Sequence, residues 1–411
     1  MTGIDTGDTA WMLISTALVM LMTPGLAFFY GGLVRRKNVL SIMMQCFMLV
    51  GVITIQWLLF GYSLAFGPDH GGLIGGLSWA GLHNVGLTPN PDYAATIPHQ
   101  LFMVYQMMFA VITPALIIGA FAERMKFGAF VLFSVLWATI VYDPMAHWVW
   151  GVGGIFRALG GLDFAGGAVV HISAGAAALA AALVIGRRKG YPELSPPHNL
   201  PFAVLGTGLL WFGWFGFNAG SALTSGQVAV SAFISTQAAA AAAATAWAVL
   251  EWVIGKRPTA LGTISGAIAG LATITPASGF VTPMGALGIG AIAGVVCYAS
   301  VVIVKSKLGY DDSLDAFGVH GVGGALGVLL VGFWATKAVN PAGADGLFHG
   351  EGRQVLIQIA VLVGCGLYSF VLSWGLLKLV DKIVGLRVSS DQENIGLDLT
   401  QHSESAYTLV G

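Results

Sequence analysis

Asp163-Phe-Ala-Gly-Gly-Ala-Val-Val-His171-Ile-Ser-Ala-Gly opens an apolar stretch that ends at Arg187-Arg188-Lys189. A second stretch, Asp315-Ala-Phe-Gly-Val-His320-Gly-Val-Gly-Gly, has the same ingredients. Each sets a histidine in a long run of small and apolar residues, with an aspartate near the start of that run. A helix of about twenty apolar residues crosses the hydrocarbon core of a bilayer, and these runs have that length. A titratable side chain at such depth is costly and marks a functional site by default. A lone histidine of this kind is more often bonded to a neighbouring helix. Two Val-His pairs in matching contexts read instead as two ends of one pore-lining pair.

The rest of the chain agrees with a membrane reading. Of its 411 residues, 56% are hydrophobic and only 9% are charged, against about 25% charged in a soluble protein. Span-length apolar runs recur throughout, so the expected class is an all-α polytopic membrane protein. A barrel would show short alternating strands. A net charge of -1 argues against nucleic acid as a partner. Cys46, Cys297 and Cys365 all lie in apolar runs and read as packing residues, so no disulfide framework is implied. No metal site, no cofactor and no catalytic residue is expected, and the chain does not read as an enzyme. The start, Met1-Thr-Gly-Ile-Asp5-Thr-Gly-Asp8, lacks the basic region of a cleavable signal peptide, so the first apolar run is expected to stay.

Eleven transmembrane helices are expected, over about residues 9–33, 39–66, 99–122, 127–142, 163–186, 201–222, 227–252, 259–274, 283–304, 315–335 and 354–383. An aromatic loop, His147-Trp148-Val-Trp150, follows the fourth. Residues 1–385 read as the membrane domain and 386–411 as a polar tail. The charges test this map. With the N-terminus outside, only Arg157, Lys337 and Arg353 of the 18 Lys and Arg residues fall on the outer side, as the positive-inside rule requires. The tail is then cytoplasmic and the expected location is the cell (inner) membrane. Five spans per half is an odd number, so two related halves are inverted. Spans one to five and six to ten form that five-helix repeat, and a long last helix follows. His171 and His320 fall in the fifth span of each half. The Asp-to-His rise is about 12 Å from Asp163 and about 7.5 Å from Asp315 at 1.5 Å per residue, so both histidines lie well inside the bilayer. Either aspartate alone also reads as a helix N-cap.

Two further constellations stand out. In Trp214-Phe-Gly-Phe217-Asn218-Ala-Gly-Ser221 the four numbered positions share one helical face. An aromatic belt would explain the rings, but Asn218 and Ser221 are poor neighbours for lipid. Tyr105-Gln-Met-Met-Phe109-Ala-Val-Ile-Thr113-Pro114 lies in span three, where Phe109 by itself reads as core.

Together the Asp163-to-His171 string, Phe-Gly-Val-His320-Gly, Trp214-Phe-Gly-Phe217-Asn-Ala-Gly-Ser221 and Gly-Ala-Phe-Ala-Glu123-Arg124 resemble the ammonium transporter family (Amt/MEP/Rh), specifically its microbial Amt branch. The tail Gly396-Leu-Asp-Leu-Thr-Gln-His402-Ser-Glu-Ser-Ala-Tyr407 resembles that family's as well. Tyr105 departs from the pattern, where the family often has Phe. The resemblance implies a substrate, ammonium and its analogue methylammonium, and it implies roles. Phe109, Trp150 and Ser221 match an outer substrate-binding site, with cation–π attraction from the rings and a hydrogen bond to the serine oxygen. Asp163 would add negative potential there. Phe109 and Phe217 match a stacked gate, and His171, His320 and Trp214 match the pore below it. There ammonium would shed a proton and continue as ammonia, with or without net charge. The resemblance also implies a homotrimer and a PII-type signalling protein that plugs the inner pore exits. The tail fits such regulation, because Gly396-Leu-Asp-Leu and Ser405-Ala-Tyr407 place apolar anchors among charges. Two other functions compete. Paired histidines on different spans could ligate a haem. An ammonium sensor, or transceptor, could signal through a PII-type partner.

Overall fold

The computed structural model describes residues 3–193 and 196–407; residues 194–195 and the last four of the expected tail, 408–411, lie outside the described residues. The chain is helical almost throughout. Among the described residues ten helices are long and apolar enough to cross a membrane: α1 Thr6–Leu33, α2 Arg36–Phe66, α3 His99–Phe121, α4 Phe127–Leu159 (broken at 151–154), α5 Gly167–Ile185, α6 Leu200–Ala222, α7 Gln227–Gly255, α9 Pro283–Leu308, α10 Phe317–Trp334 and α11 Arg353–Val384. The eleventh expected span is α8, Ala260–Ile274, which is apolar but shorter. The chain continues from it through buried turns at Thr275, Ala277 and Ser278. Two short helices complete the tail, α12 Ser390–Ile395 and α13 Leu397–His402. A two-residue hairpin, β1 Asp69–His70 with β2 Ile74–Gly75, sits in the loop after α2.

The two halves interlock as inverted copies would. α1 packs along the length of α6. The first turns of α5 meet the later part of α10, and the first turns of α10 meet the later part of α5. Glycine sets how near the α5 and α10 backbones come. A Cβ on Gly175 would lie 2.1 Å from Gly321 Cα, and one on Gly324 would lie 2.7 Å from His171 Cβ. Small residues at such crossings let helices in a membrane pack without a hydrophobic driving force between them. α3 carries the deepest surface of the bundle, with nearly every residue from Tyr105 to Phe121 buried.

Three boundaries differ from expectation. α4 does not stop at Tyr142: the helix runs on through Trp150, so the aromatic loop is its last turns. A π-turn, Ala138–Tyr142, precedes Pro144. Its wider hydrogen-bond register absorbs the N–H that proline lacks. α5 begins at Gly167 rather than near Asp163, and α10 at Phe317 rather than Asp315. Both begin with π-turns, Gly167–Ile172 and Phe317–Gly321, and each π-turn carries one of the two histidines. Periodicity in the sequence carries no signal for such a turn.

Candidate functional site

Three cavities follow one another through the bundle. The inner face is taken as the one where Arg35, Glu123 and Arg188 meet. The outer vestibule has a volume of about 240 Å³ and is lined by Phe109, Trp150, Ser221, Phe164, Gln106 and Arg157, among others. Trp150 is fixed at both ends: its indole N–H donates to the Asp163 carbonyl at 2.9 Å, and Arg157 Nη1 donates to the Trp150 carbonyl at 2.5 Å. The Ser221 hydroxyl donates to the Phe217 carbonyl at 2.9 Å. Tyr105 Oη lies 3.2 Å from Ser221 Oγ and donates to the Gly216 or Phe217 carbonyl. The departure at position 105 therefore sets a second hydroxyl beside the serine, anchored on the same stretch of α6. With its proton engaged, the serine oxygen is free to accept.

The vestibule floor is a pair of rings. Phe109 and Phe217 lie with centroids 4.3 Å apart, tilted by 34° rather than stacked, and the Trp150 ring stands edge-on to Phe109 at 5.9 Å. Below them His171 and His320 lie face to face, 5.3 Å apart and 13° from parallel. Trp214 also stacks against His171 at 5.6 Å, and its N–H donates to Thr275 Oγ1 at 2.9 Å. The lumen here is otherwise apolar, walled by Met22, Leu26, Phe29, Ile112, Leu116 and Ile268. At about 10 Å³ it holds a guest no larger than about one water. Both ring nitrogens of His171 and Nδ1 of His320 are buried without a protein partner. Buried polar atoms are normally satisfied, so these unpartnered nitrogens single out the pair as a candidate site. Parallel stacked rings over so narrow a lumen leave no room for a haem plane between them. Among the described residues, no three His, Cys, Asp or Glu side chains gather as a metal site.

His320 also borders the inner vestibule, of about 260 Å³, with Tyr30, Glu251, Ser265 and Asp315.

Asp163 stands apart from the vestibule lining. Its carboxylate is 7% exposed and accepts four backbone N–H groups, from Gly166, Gly167, Ala168 and Val169, at 2.6–3.1 Å. It caps α5 and meets the vestibule only through its carbonyl on Trp150. Asn218, read from the sequence as a poor neighbour for lipid, is fully buried: it donates to Thr236 Oγ1 at 2.9 Å and joins α6 to α7.

Sequence reasoning missed Asp312. Its carboxylate accepts from Ala316 N at 3.1 Å and Phe317 N at 2.7 Å, capping α10 as Asp163 caps α5. It stands eight residues before His320, the spacing of Asp163 to His171. That equal spacing was the available signal, and Asp315 concealed it. Asp315 is instead paired with Lys305 Nζ at 2.6 Å.

At the inner face Glu123 bridges two arginines, Arg35 at 2.9 Å and Arg188 at 3.3 Å, and Arg188 continues to Asp311 at 2.8 Å. Burial alone would raise the Glu123 carboxyl. Hydrogen bonds and charge from Arg35, with charge from Arg188, more than offset it and hold the group below the usual carboxylate range.

A sequence profile described as the Ammonium Transporter Family matches residues 10–407. The chain is 55% identical over 401 residues to an ammonium transporter of Bacillus subtilis, covering 98% of each chain. It is 50% identical to the ammonium transporter Amt1 of Archaeoglobus fulgidus, covering 98% of this chain and 99% of that one. It is also similar to the crystal structure of Candida albicans Mep2, with a TM-score of 0.90 at 34% identity, over 99% of this chain and 94% of that one.

Proposed function

The chain belongs to the ammonium transporter family, and from that premise we propose how it moves its substrate: ammonium is captured as a cation and conducted past the histidines as ammonia. The capture site is the outer vestibule, where the Trp150 and Phe109 rings offer π faces and Ser221 an acceptor. A cation there gains about 0.5–2 kcal/mol from a ring. The closely packed Phe109 and Phe217 close the way to anything that keeps a hydration shell. Below them the lumen is apolar, and burial favours the neutral form of an amine. Ammonium therefore gives up a proton at the floor, to water in the outer vestibule. Potassium has no proton to give and stays outside. Ammonia then passes His171 and His320, whose edges offer hydrogen bonds at the only polar points of that passage.

The observation that carries this reading is the stacked histidine pair, 5.3 Å apart, with ring nitrogens unpartnered in an apolar lumen between two vestibules. The test is methylammonium uptake into vesicles holding the His171→Ala/His320→Ala protein. Selective uptake is lost while the protein stays folded. Wild-type uptake with unchanged selectivity over potassium overturns the reading.

The same reading sets the protein in the cell (inner) membrane as a multi-pass chain, N-terminus outside and C-terminus in the cytoplasm, supported by the lysine and arginine asymmetry. Residues 1–385 form the conducting domain and 386–411 a regulatory tail. The assembly is a homotrimer, each copy with its own path, and a PII-type signalling protein docks on the inner face.

A further inference from the structure

One groove of the molecule is used neither by the conduction path nor by the tail. It is an apolar cleft of about 760 Å³ between α5, α9 and α10. It lies in the inner half of the bundle, beside the π-turn Ala299–Val304 of α9. Leu183, Val304 and Leu308 wall it and are 41–71% exposed. Phe317 and Tyr310 lie at its α10 side and its inner end.

The inverted repeat accounts for the opening. The counterpart cleft lies beside the π-turn Ala138–Tyr142 of α4, against α5 and α10. There α11 packs on all three helices. Tyr368 donates to the Ile140 carbonyl in that π-turn at 2.7 Å, and Trp137 donates to Ser373 Oγ at 2.9 Å. Among the described residues no further membrane-length helix does the same for α9, and its cleft is open.

The inner end of the cleft is polar. Tyr310 is 8% exposed, and its hydroxyl is buried without a partner. Arg187 and Lys307 are exposed beside it, and among the described residues neither forms an ion pair with an acid. Arg187 donates to the Gly309 carbonyl at 2.8 Å and lies over the Tyr191 ring, which holds it next to the segment leading to Tyr310. An apolar slot at acyl-chain depth, ending in a phenol donor and two cations at headgroup depth, has the chemistry of one ligand. We propose that this groove binds an anionic glycerophospholipid of the inner leaflet, one acyl chain in the cleft and the phosphate among Tyr310, Arg187 and Lys307. Basic side chains near the membrane surface attract anionic lipid. The acyl chain then lies against Phe317, in the same π-turn as His320, and braces the turn that carries a pore histidine.

The test is lipid binding, read independently of transport. Full-length protein in mild detergent is titrated with dioleoyl phosphatidylglycerol or dioleoyl phosphatidylcholine, and bound lipid is counted by native mass spectrometry. The expected result is one site per chain that prefers the anionic lipid by about tenfold or more, as two basic groups would supply. Arg187→Gln/Lys307→Gln, both at the surface, removes the preference. Ala299→Phe fills the cleft and weakens both lipids alike. Equal binding of the two lipids by the wild type, or a preference that survives the double substitution, overturns the proposal. A Leu308→Cys protein that crosslinks to a second copy in vesicles also overturns it, because a neighbouring chain then occupies the cleft.

Discussion

Trp150 shows how much one side chain can be asked to do. Its ring forms a wall of the outer vestibule, and its main and side chains are held by Arg157 and Asp163. An aliphatic side chain in its place removes the cation attraction, together with the indole bond to the Asp163 carbonyl. Trp150→Leu is expected to raise the half-saturating ammonium concentration by about tenfold or less, the size of a single cation–π contact, with potassium still excluded. Concentration-dependent currents measure it, and an unshifted half-saturation removes Trp150 from the site. Glu123 is the comparable residue at the inner face. It sits at φ 74°, in the left-handed region that a side chain rarely adopts, and its two arginine partners hold it there. Because its folded pKa is depressed, its contribution to stability is complete above the ordinary value of 4.5 and is lost as pH falls through the folded value. Melting temperature should therefore fall with acidification below about pH 4.5 in the wild type. Glu123→Gln should melt lower at neutral pH and show a shallower acid decline. A parallel decline in both proteins would mean that the bridge carries no such linkage.

At the level of elements, the aspartates that begin α5 and α10 share one task. Each carboxylate takes the free N–H groups of a π-turn that holds a histidine, and a helix start buried without such a partner is unfavourable. Asp312→Ala should cost about 0.5–2 kcal/mol, the range for a lost N-cap, seen as a lower melting temperature in detergent. Asp315→Ala should cost less, because its pair with Lys305 is partly solvent-exposed and such pairs contribute about 0–1 kcal/mol. Equal losses would leave Asp312 without its capping role. This pair also marks the limit of what was legible in the sequence. Span number, the inverted repeat and the two histidines follow from apolar length and charge, which a bilayer enforces on any chain. The cap did not follow, because Asp315 stands nearer to His320 and the first turn between them is a π-turn. The extension of α4 to Trp150 was hidden for a similar reason: Pro144 reads as a stop unless a π-turn precedes it. The bond from Asn218 to Thr236 was not legible either, because a shared helical face says nothing about which neighbour meets each residue.

The whole molecule is joined at its inner face by the tail. Lys126 N donates to the Leu386 carbonyl at 2.8 Å, and Val388 N to the Arg124 carbonyl at 3.0 Å, so the tail first pairs with the loop between α3 and α4. Glu393 then accepts from Lys189 N at 2.7 Å, after α5, and from Arg387 at 2.8 Å. Leu397 N donates to Asn38 Oδ1 at 2.9 Å, Ser41 N donates to Asp398 at 2.8 Å, and Lys37 Nζ donates to the Asn394 carbonyl, all at the start of α2. Tyr407 meets His198 before α6 at 3.0 Å. One segment thus holds the loops of the first half and the connector that leads into the second, near residues that border the inner vestibule. A disordered acidic end would make none of these bonds. Cutting the chain after Arg387 removes every contact beyond it and leaves the membrane helices intact. We expect the truncated protein to reach the membrane and to bind methylammonium from outside as before. Its maximal uptake should fall by about fivefold or more, since freeing a segment that biases a two-state element is worth about 1 kcal/mol or more. A pull-down should show weaker binding of a PII-type protein. Glu393→Gln, which weakens the Arg387 and Lys189 contacts but keeps the chain, should lie between the two. Full uptake and undiminished PII binding in the truncated chain would reduce the tail to a passive strap.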